Sequence, residues 1–216
     1  MIQDGLLVRI LLLMGAIVQS SDDTMELRRD INGKKVTLRC INSTDAEFIV
    51  AIRSDPDLNE LSTGAISIDI HRKWYEEYLE KENDVYWVVL NQITGEKIGT
   101  TALYNIDLNS NKAESGRTIL LRQYRDLALD TLYAVFVYAF YEIGLNKIYA
   151  KVREDEKSIL RFDQKIGFSV EGLLRQDYWN GKKFISMYLI SMLKDEFLDK
   201  KILYENYFSM LESFEG

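Results

Sequence analysis

Apolar and polar residues alternate through residues 35–41, the period of two that predicts a β-strand. Asn42, Ser43, Thr44 and Asp45 then offer the side chains that cap helix N-termini, and Phe48, Ile49 and Ile52 follow at helical spacing. Pro56, the only proline, ends that helix. Ser67 is a second cap, opening a helix through His71 and Trp74 that stops near Asn83. An antiparallel meander comes next, with strands at residues 85–90, 98–104 and 113–121. Residues 126–143 read as a long helix closed by Gly144; apolar side chains nearly encircle it, which places it centrally against a sheet face. A strand (148–152), a helix (157–166, stopped by Gly167) and a hairpin turning at Asn180-Gly181, a type I′ signal, complete the pattern.

Strand, two helices, three strands, helix, strand, helix, hairpin is an α+β order. It predicts an α/β/α sandwich: a mixed, mostly antiparallel sheet of about seven strands with helices on both faces. Composition changes little in this picture: 216 residues, 47% hydrophobic and 28% charged, describe an ordinary globular chain able to bury a core. A net charge of −7 without a basic cluster argues against nucleic-acid binding. The single cysteine, Cys40, excludes an internal disulfide and a zinc cluster, and its place in a strand suits a small packed side chain rather than a nucleophile. Residues 6–18 are apolar but shorter than the roughly 20 residues of a membrane helix. With Asp4 before that run and Arg9 inside it, they also make a poor signal peptide. The expected organisation is an N-terminal extension (1–34) outside the core, with Met25 as a possible natural start, a domain over 35–197, and a helical tail (198–216). A cytoplasmic protein is expected.

Five phrases, in order, resemble the GNAT superfamily of N-acetyltransferases, in the branch that includes amino-sugar, polyamine and ribosomal-protein N-terminal acetyltransferases. They are LRCINSTDAEFIVAIRSDP, SIDIHRKWYEEYL, KAESGRTI, YAFYEIGLNKIYAKV and SILRFDQKIGFSVEGLLRQDYWNGKKF. The Glu-x-Gly-Arg strand and the His-x-x-Trp helix are most similar to the subgroup acting on nucleotide-linked amino sugars. The resemblance implies acetyl-CoA as co-substrate and no metal. It implies direct attack, without a covalent enzyme intermediate, by the primary amine of a small polar acceptor: an amino sugar ahead of a peptide N-terminus or polyamine. It leaves room for a homodimer through the last strands or tail.

By the same resemblance the oxyanion donor is a backbone N–H at a splay within residues 118–122. The coenzyme lies along Leu120, Leu121, Arg122, Arg125, Asp126, Leu127, Ala128, Leu129 and Asp130, and against Glu156, Ser158 and Phe162 of the following helix. The family's phosphate loop, Gln/Arg-x-x-Gly-x-Gly/Ala, keeps its Arg at Arg125 but has Ala128 and Asp130 for the glycines, and no glycine occurs between Gly116 and Gly144. A carboxylate about 4 Å from a phosphate costs roughly 1 kcal/mol in water and about 4 at an effective dielectric of 20. Asp126 or Asp130 either opposes the phosphates in this way or caps the helix in their place. Arg122 and Arg125 either offset this or stand solvated at the helix start. The family's general-acid Tyr is Asp163 here, expected to be ionised with a pKa near 3.9 unless burial raises it.

Glu114 is the candidate base, directly or through a water, or else an exposed strand carboxylate. His71, the only imidazole, suits acceptor binding or packing more than proton removal, with Trp74 beside it. Arg53 either meets an anionic acceptor or the carbonyls of its own helix end. Tyr178, next to Trp179, either lids the acceptor or covers the core edge. These departures admit a second outcome, a GNAT fold that has lost catalysis and serves as a binding or scaffolding module. Coenzyme binding separates the two, and with Asp130 at the phosphates, Asp130→Gly is expected to tighten it.

Overall fold

The computed structural model describes residues 27–55, 58 and 67–214; the run at 6–18, Met25 and Pro56 lie outside them. In chain order the elements are β1 (Ile31–Asn32), β2 (Val36–Cys40), α1 (Ala46–Ser54), α2 (Ile68–Leu79), β3 (Asp84–Asn91), β4 (Lys97–Asp107), β5 (Lys112–Leu120), α3 (Ala128–Val137), β6 (Lys147–Arg153), α4 (Lys157–Lys165), β7 (Ser169–Trp179), β8 (Phe184–Leu193) and α5 (Lys194–Phe214). The strands form one eight-stranded sheet in the order β1-β2-β3-β4-β5-β6-β8-β7. Every pairing is antiparallel except β5 with β6. The α+β sandwich is therefore as expected, with β1 as an added eighth strand.

The larger core fills one face, where Leu38, Val85, Trp87, Leu103, Ala113, Ile148 and Ile190 meet α3 and the start of α5. On the other face α1 and α2 cover only the β2–β4 half, through Ile49, Tyr78, Tyr86, Val88 and Ala102. The all-round apolar character of α3 has a cause beyond the sheet. Tyr133 packs against Phe197, Tyr204 and Phe208 of α5, so α3 is buried between the sheet and a second helix. Tyr204 and Phe208 of the helical tail thus belong to the core. The central helix is also less regular than its pattern predicts. A 3-10 segment (Arg122–Leu127) precedes α3, a π-helical turn (Tyr138–Ile143) follows it, and Gly144 closes it at φ 83°.

The expected boundary at residue 35 is too late. Ile31 is buried and pairs with Leu38, the Trp87 indole donates to the Arg29 carbonyl, and the Tyr138 hydroxyl donates to that of Leu27. Arg28 donates to the carbonyls of Tyr78 and Leu79, closing the end of α2. The β7–β8 connection differs too. Of Asn180-Gly181 only the glycine has a positive φ, 88°. The loop spans four residues, because the Asn180 side chain accepts from the Lys182 and Lys183 N–H groups at 3.0 and 2.8 Å.

Candidate active site

The topology opens one crevice. β5 and β6 run parallel and pair only through Lys112, Ala113 and Glu114; beyond the Glu114–Tyr149 pair they diverge. A bulge at the same place, with Arg117 at φ 52°, turns β5 further away. The helical run after β5 and α4 after β6 both begin at the diverging C-terminal ends, where open sheets bind ligands. Within residues 118–122, the expected source of an oxyanion donor, the Leu121 N–H is already given to the Ile98 carbonyl at 2.8 Å. Leu120 is buried and Leu121 half-buried, forming the floor.

The coenzyme-facing segment differs from its sequence reading in one decisive residue. Asp130 is 2% exposed and turned away from the helix start, towards the β1–β2 turn. There its carboxylate accepts the backbone N–H groups of Lys34, Lys35 and Val36 at 2.8, 2.7 and 3.1 Å. It is a buried turn anchor, not a charge among phosphates. No side chain caps the 3-10 segment or α3, so Asp126 does not compete there either. Arg122, Arg125 and Asp126 are exposed, while Leu127, Ala128 and Leu129 are half-buried against the core. A helix start that no side chain caps, with two exposed guanidinium groups, fits a pyrophosphate. Across the crevice, Glu156 stands at the N-cap of α4 with 3.9 Å to Arg153, Ser158 is exposed, and Phe162 packs on the core.

Asp163, on the same helix, is not the ordinary ionised carboxylate expected. Burial pushes its pKa from 3.8 up to about 7, so it holds a proton over part of the neutral range. Cys40 moves further from reactivity, since burial, with Asp30 beside it, pushes its thiol up to about 12.

Glu114 sits at the apex of the splay, in a row of residues running Asp84, Tyr104, Glu114, Tyr149 across β3 to β6. The Tyr104 hydroxyl donates to one carboxylate oxygen at 3.0 Å and the Asn105 amide to the other at 2.9 Å. Arg117 lies 4.3 Å over the Tyr104 ring and holds Asp84 through two bonds of 2.7 and 2.9 Å. Burial raises the Tyr104 pKa, and Glu114 raises it further, so that hydroxyl stays a donor. The sequence reading missed Tyr104, Asn105 and Tyr149. Only the cross-strand register reveals them, and a bulge between Tyr104 and Asp107 hides that register.

The expected acceptor residues separate into two groups. His71 stacks on Trp74 at 5.1 Å and lines a cavity of about 270 Å³ with Asn42, Ser43, Tyr75 and Glu76. Burial lowers the His71 pKa, helped by Arg53, so the imidazole is neutral at pH 7. Trp74 in turn lies 5.8 Å from the Arg117 guanidinium, which links this group to Glu114. Tyr178 is elsewhere, on β7 opposite Ile185. The 270 Å³ cavity is over α1 and α2, not in the crevice. A second, of about 180 Å³, lies on the Glu114 face between Lys112, Lys147, Tyr149, Glu171 and Leu189. No group of three or more metal-ligating side chains occurs among the described residues, and none of their helices is long and apolar enough to cross a membrane.

Comparison with known proteins agrees with this geometry. Residues 35–169 match the family profile described as "Acetyltransferase (GNAT) domain". The uncharacterized N-acetyltransferase YoaA of Bacillus subtilis is 30% identical over 69% of this chain and 89% of its own. The uncharacterized N-acetyltransferase p20 of Bacillus licheniformis is 26% identical over 76% of this chain and 96% of its own. Among solved structures, a GCN5-related N-acetyltransferase from Brucella melitensis shares the fold at TM-score 0.72 and 19% identity, over 83% of this chain and 85% of that one. So does a spermidine N-acetyltransferase from Vibrio cholerae in complex with CoA and spermine, at TM-score 0.68 and 19% identity, over 76% of this chain and 98% of that one. With its splayed parallel strands, uncapped helix start and matching profile, the chain belongs to the GNAT family of acetyltransferases, enzymes whose co-substrate is acetyl-CoA.

Proposed function

We propose that the enzyme acetylates the primary amine of a small polar acceptor, an amino sugar ahead of a polyamine or peptide N-terminus, with Glu114 as the base. The observation that carries this reading is the position of Glu114 at the last β5–β6 pair, where the crevice begins. Acetyl-CoA, when bound, supplies an acetyl group activated as a thioester. Arg122 and Arg125 bind its phosphates, and β5 backbone N–H groups beyond the splay donate to the developing oxyanion. Glu114 takes the proton released by the amine, directly or through a water, at a carboxylate oxygen. Asp163, protonated at its carboxyl, returns one to the departing sulfur.

Charge supports the acceptor class. On the Glu114 face, Lys147 pairs with Glu171, Lys151 pairs with Asp177 at 2.8 Å, and Lys112 stands beside Glu114 in β5. Among the described residues these carboxylates are matched by ammonium groups, which leaves them little surplus negative charge with which to hold a polycation. Hydroxylated amines suit its tyrosines and Asn105 better, and the neutral His71 suits binding rather than proton removal. The cytoplasm, where the sequence leads us to expect the protein, is the proposed compartment.

The test is thiol release from acetyl-CoA with a nucleotide-linked amino sugar, spermidine and a short peptide as acceptors, for the wild type and Glu114→Gln. The reading expects turnover with the amino sugar and a loss of at least about a hundredfold in the variant. Turnover with spermidine alone would replace the acceptor class, and full activity in Glu114→Gln would remove the base.

A further inference from the structure

Two non-glycine residues with positive φ flank Glu114: Asn105 at φ 50° in β4 and Arg117 at φ 52° in β5, each beside a register shift. A left-handed backbone costs most residues about 1 kcal/mol or more and is least costly for glycine and, after it, Asn and Asp. Glycine is the conformationally easier choice at an exposed bulge of this kind, and position 105 is exposed. What Asn adds is an amide, and the bulge aims it across β5 to the Glu114 oxygen that Tyr104 leaves open. Tyr149 pairs with Glu114 from the β6 side. The Asn105 side chain therefore ties β4 to β5 at the point where the two walls of the crevice part.

We infer that Asn105 is a positioning residue: held left-handed at the β4 bulge, it acts with Tyr104 to fix the Glu114 carboxylate at the crevice mouth in the orientation that accepts a proton. This inference rests on the reading of Glu114 as base. The titratable groups around that carboxylate are Tyr104 from β4, Lys112 two residues before it on β5, and Tyr149 and Lys151 from β6, the last paired with Asp177 of β7. Losing the amide leaves one carboxylate oxygen unheld, so the base is misaimed for the amine proton.

The experiment compares Asn105→Gly and Asn105→Asp with wild type and Glu114→Gln, by thermal unfolding and by kcat and KM measured separately. Glycine suits the left-handed backbone, so Asn105→Gly is expected to unfold near the wild-type temperature. Its kcat is nonetheless expected to fall about tenfold or more, the worth of one hydrogen bond to a charged group, with KM little changed. Asn105→Asp keeps the left-handed preference but cannot donate and sets a like charge against Glu114, and is expected to lose more kcat. An Asn105→Gly enzyme with unchanged kcat, while Glu114→Gln is inactive, would overturn the inference and leave the base standing. If Glu114→Gln keeps full activity, the base reading fails and the inference with it.

Discussion

Asp163 shows how one side chain can change its chemistry without changing its formula. Burial alone raises its pKa from 3.8 to about 7. Between those values the native state holds a proton that the unfolded chain has released, so stability falls as pH rises through this window and levels off above it. At about 1.4 kcal/mol per pKa unit, burying the ionised form costs up to about 4 kcal/mol, an upper figure because the residue keeps some exposure. Asp163→Asn cannot ionise. It is expected to be more stable than the wild type by about 1–4 kcal/mol at mildly alkaline pH and to lose that advantage near pH 4, as read by urea unfolding across pH. If the carboxyl also supplies the departing sulfur with its proton, the more stable variant turns over more slowly. A stability difference independent of pH would mean that the carboxyl titrates normally.

At the scale of elements, Asp130 joins the β1–β2 turn to α3. Its carboxylate is the acceptor for consecutive backbone N–H groups at residues 34–36, and a Cβ at Gly33 would stand 2.7 Å from it. Removing it leaves part-buried donors without that acceptor, at about 1–3 kcal/mol each, and a glycine in the helix adds roughly 1 kcal/mol. Asp130→Gly is therefore expected to lower stability by at least about 3 kcal/mol in urea and to leave acetyl-CoA affinity unchanged. Tighter coenzyme binding in that variant would return the carboxylate to the phosphate site. The sequence places Asp130 where the family has a glycine, but one-dimensional register cannot say which way a helical side chain points. The strands were legible for the opposite reason. Alternation in β2, the continuous apolar run of β3 and the Gly144 and Gly167 stops act locally, so residues 35–41 and 85–90 read correctly. β1 has only two residues, and the burial of Tyr204 and Phe208 on α5 comes from Tyr133, so both depend on partners far along the chain.

The whole molecule sets α3 and α5 on one face of the sheet and α1 and α2 on half of the other, leaving the β5–β6 crevice open between them. What the sequence could not supply was the state of that crevice. Its altered phosphate loop puts a working enzyme first but admits a retired one, and the reading of Asp130 among the phosphates feeds that second outcome. Asp130 is withdrawn to the β1–β2 turn, while Arg122 and Arg125 stand exposed at the helix start. Calorimetric titration of the purified chain with acetyl-CoA tests this most directly. The wild type is expected to bind in the micromolar range, and Arg122→Ala and Arg125→Ala each to weaken binding about tenfold, with the effect shrinking as salt is raised. No binding at millimolar acetyl-CoA, or binding indifferent to both arginines, would contradict the account.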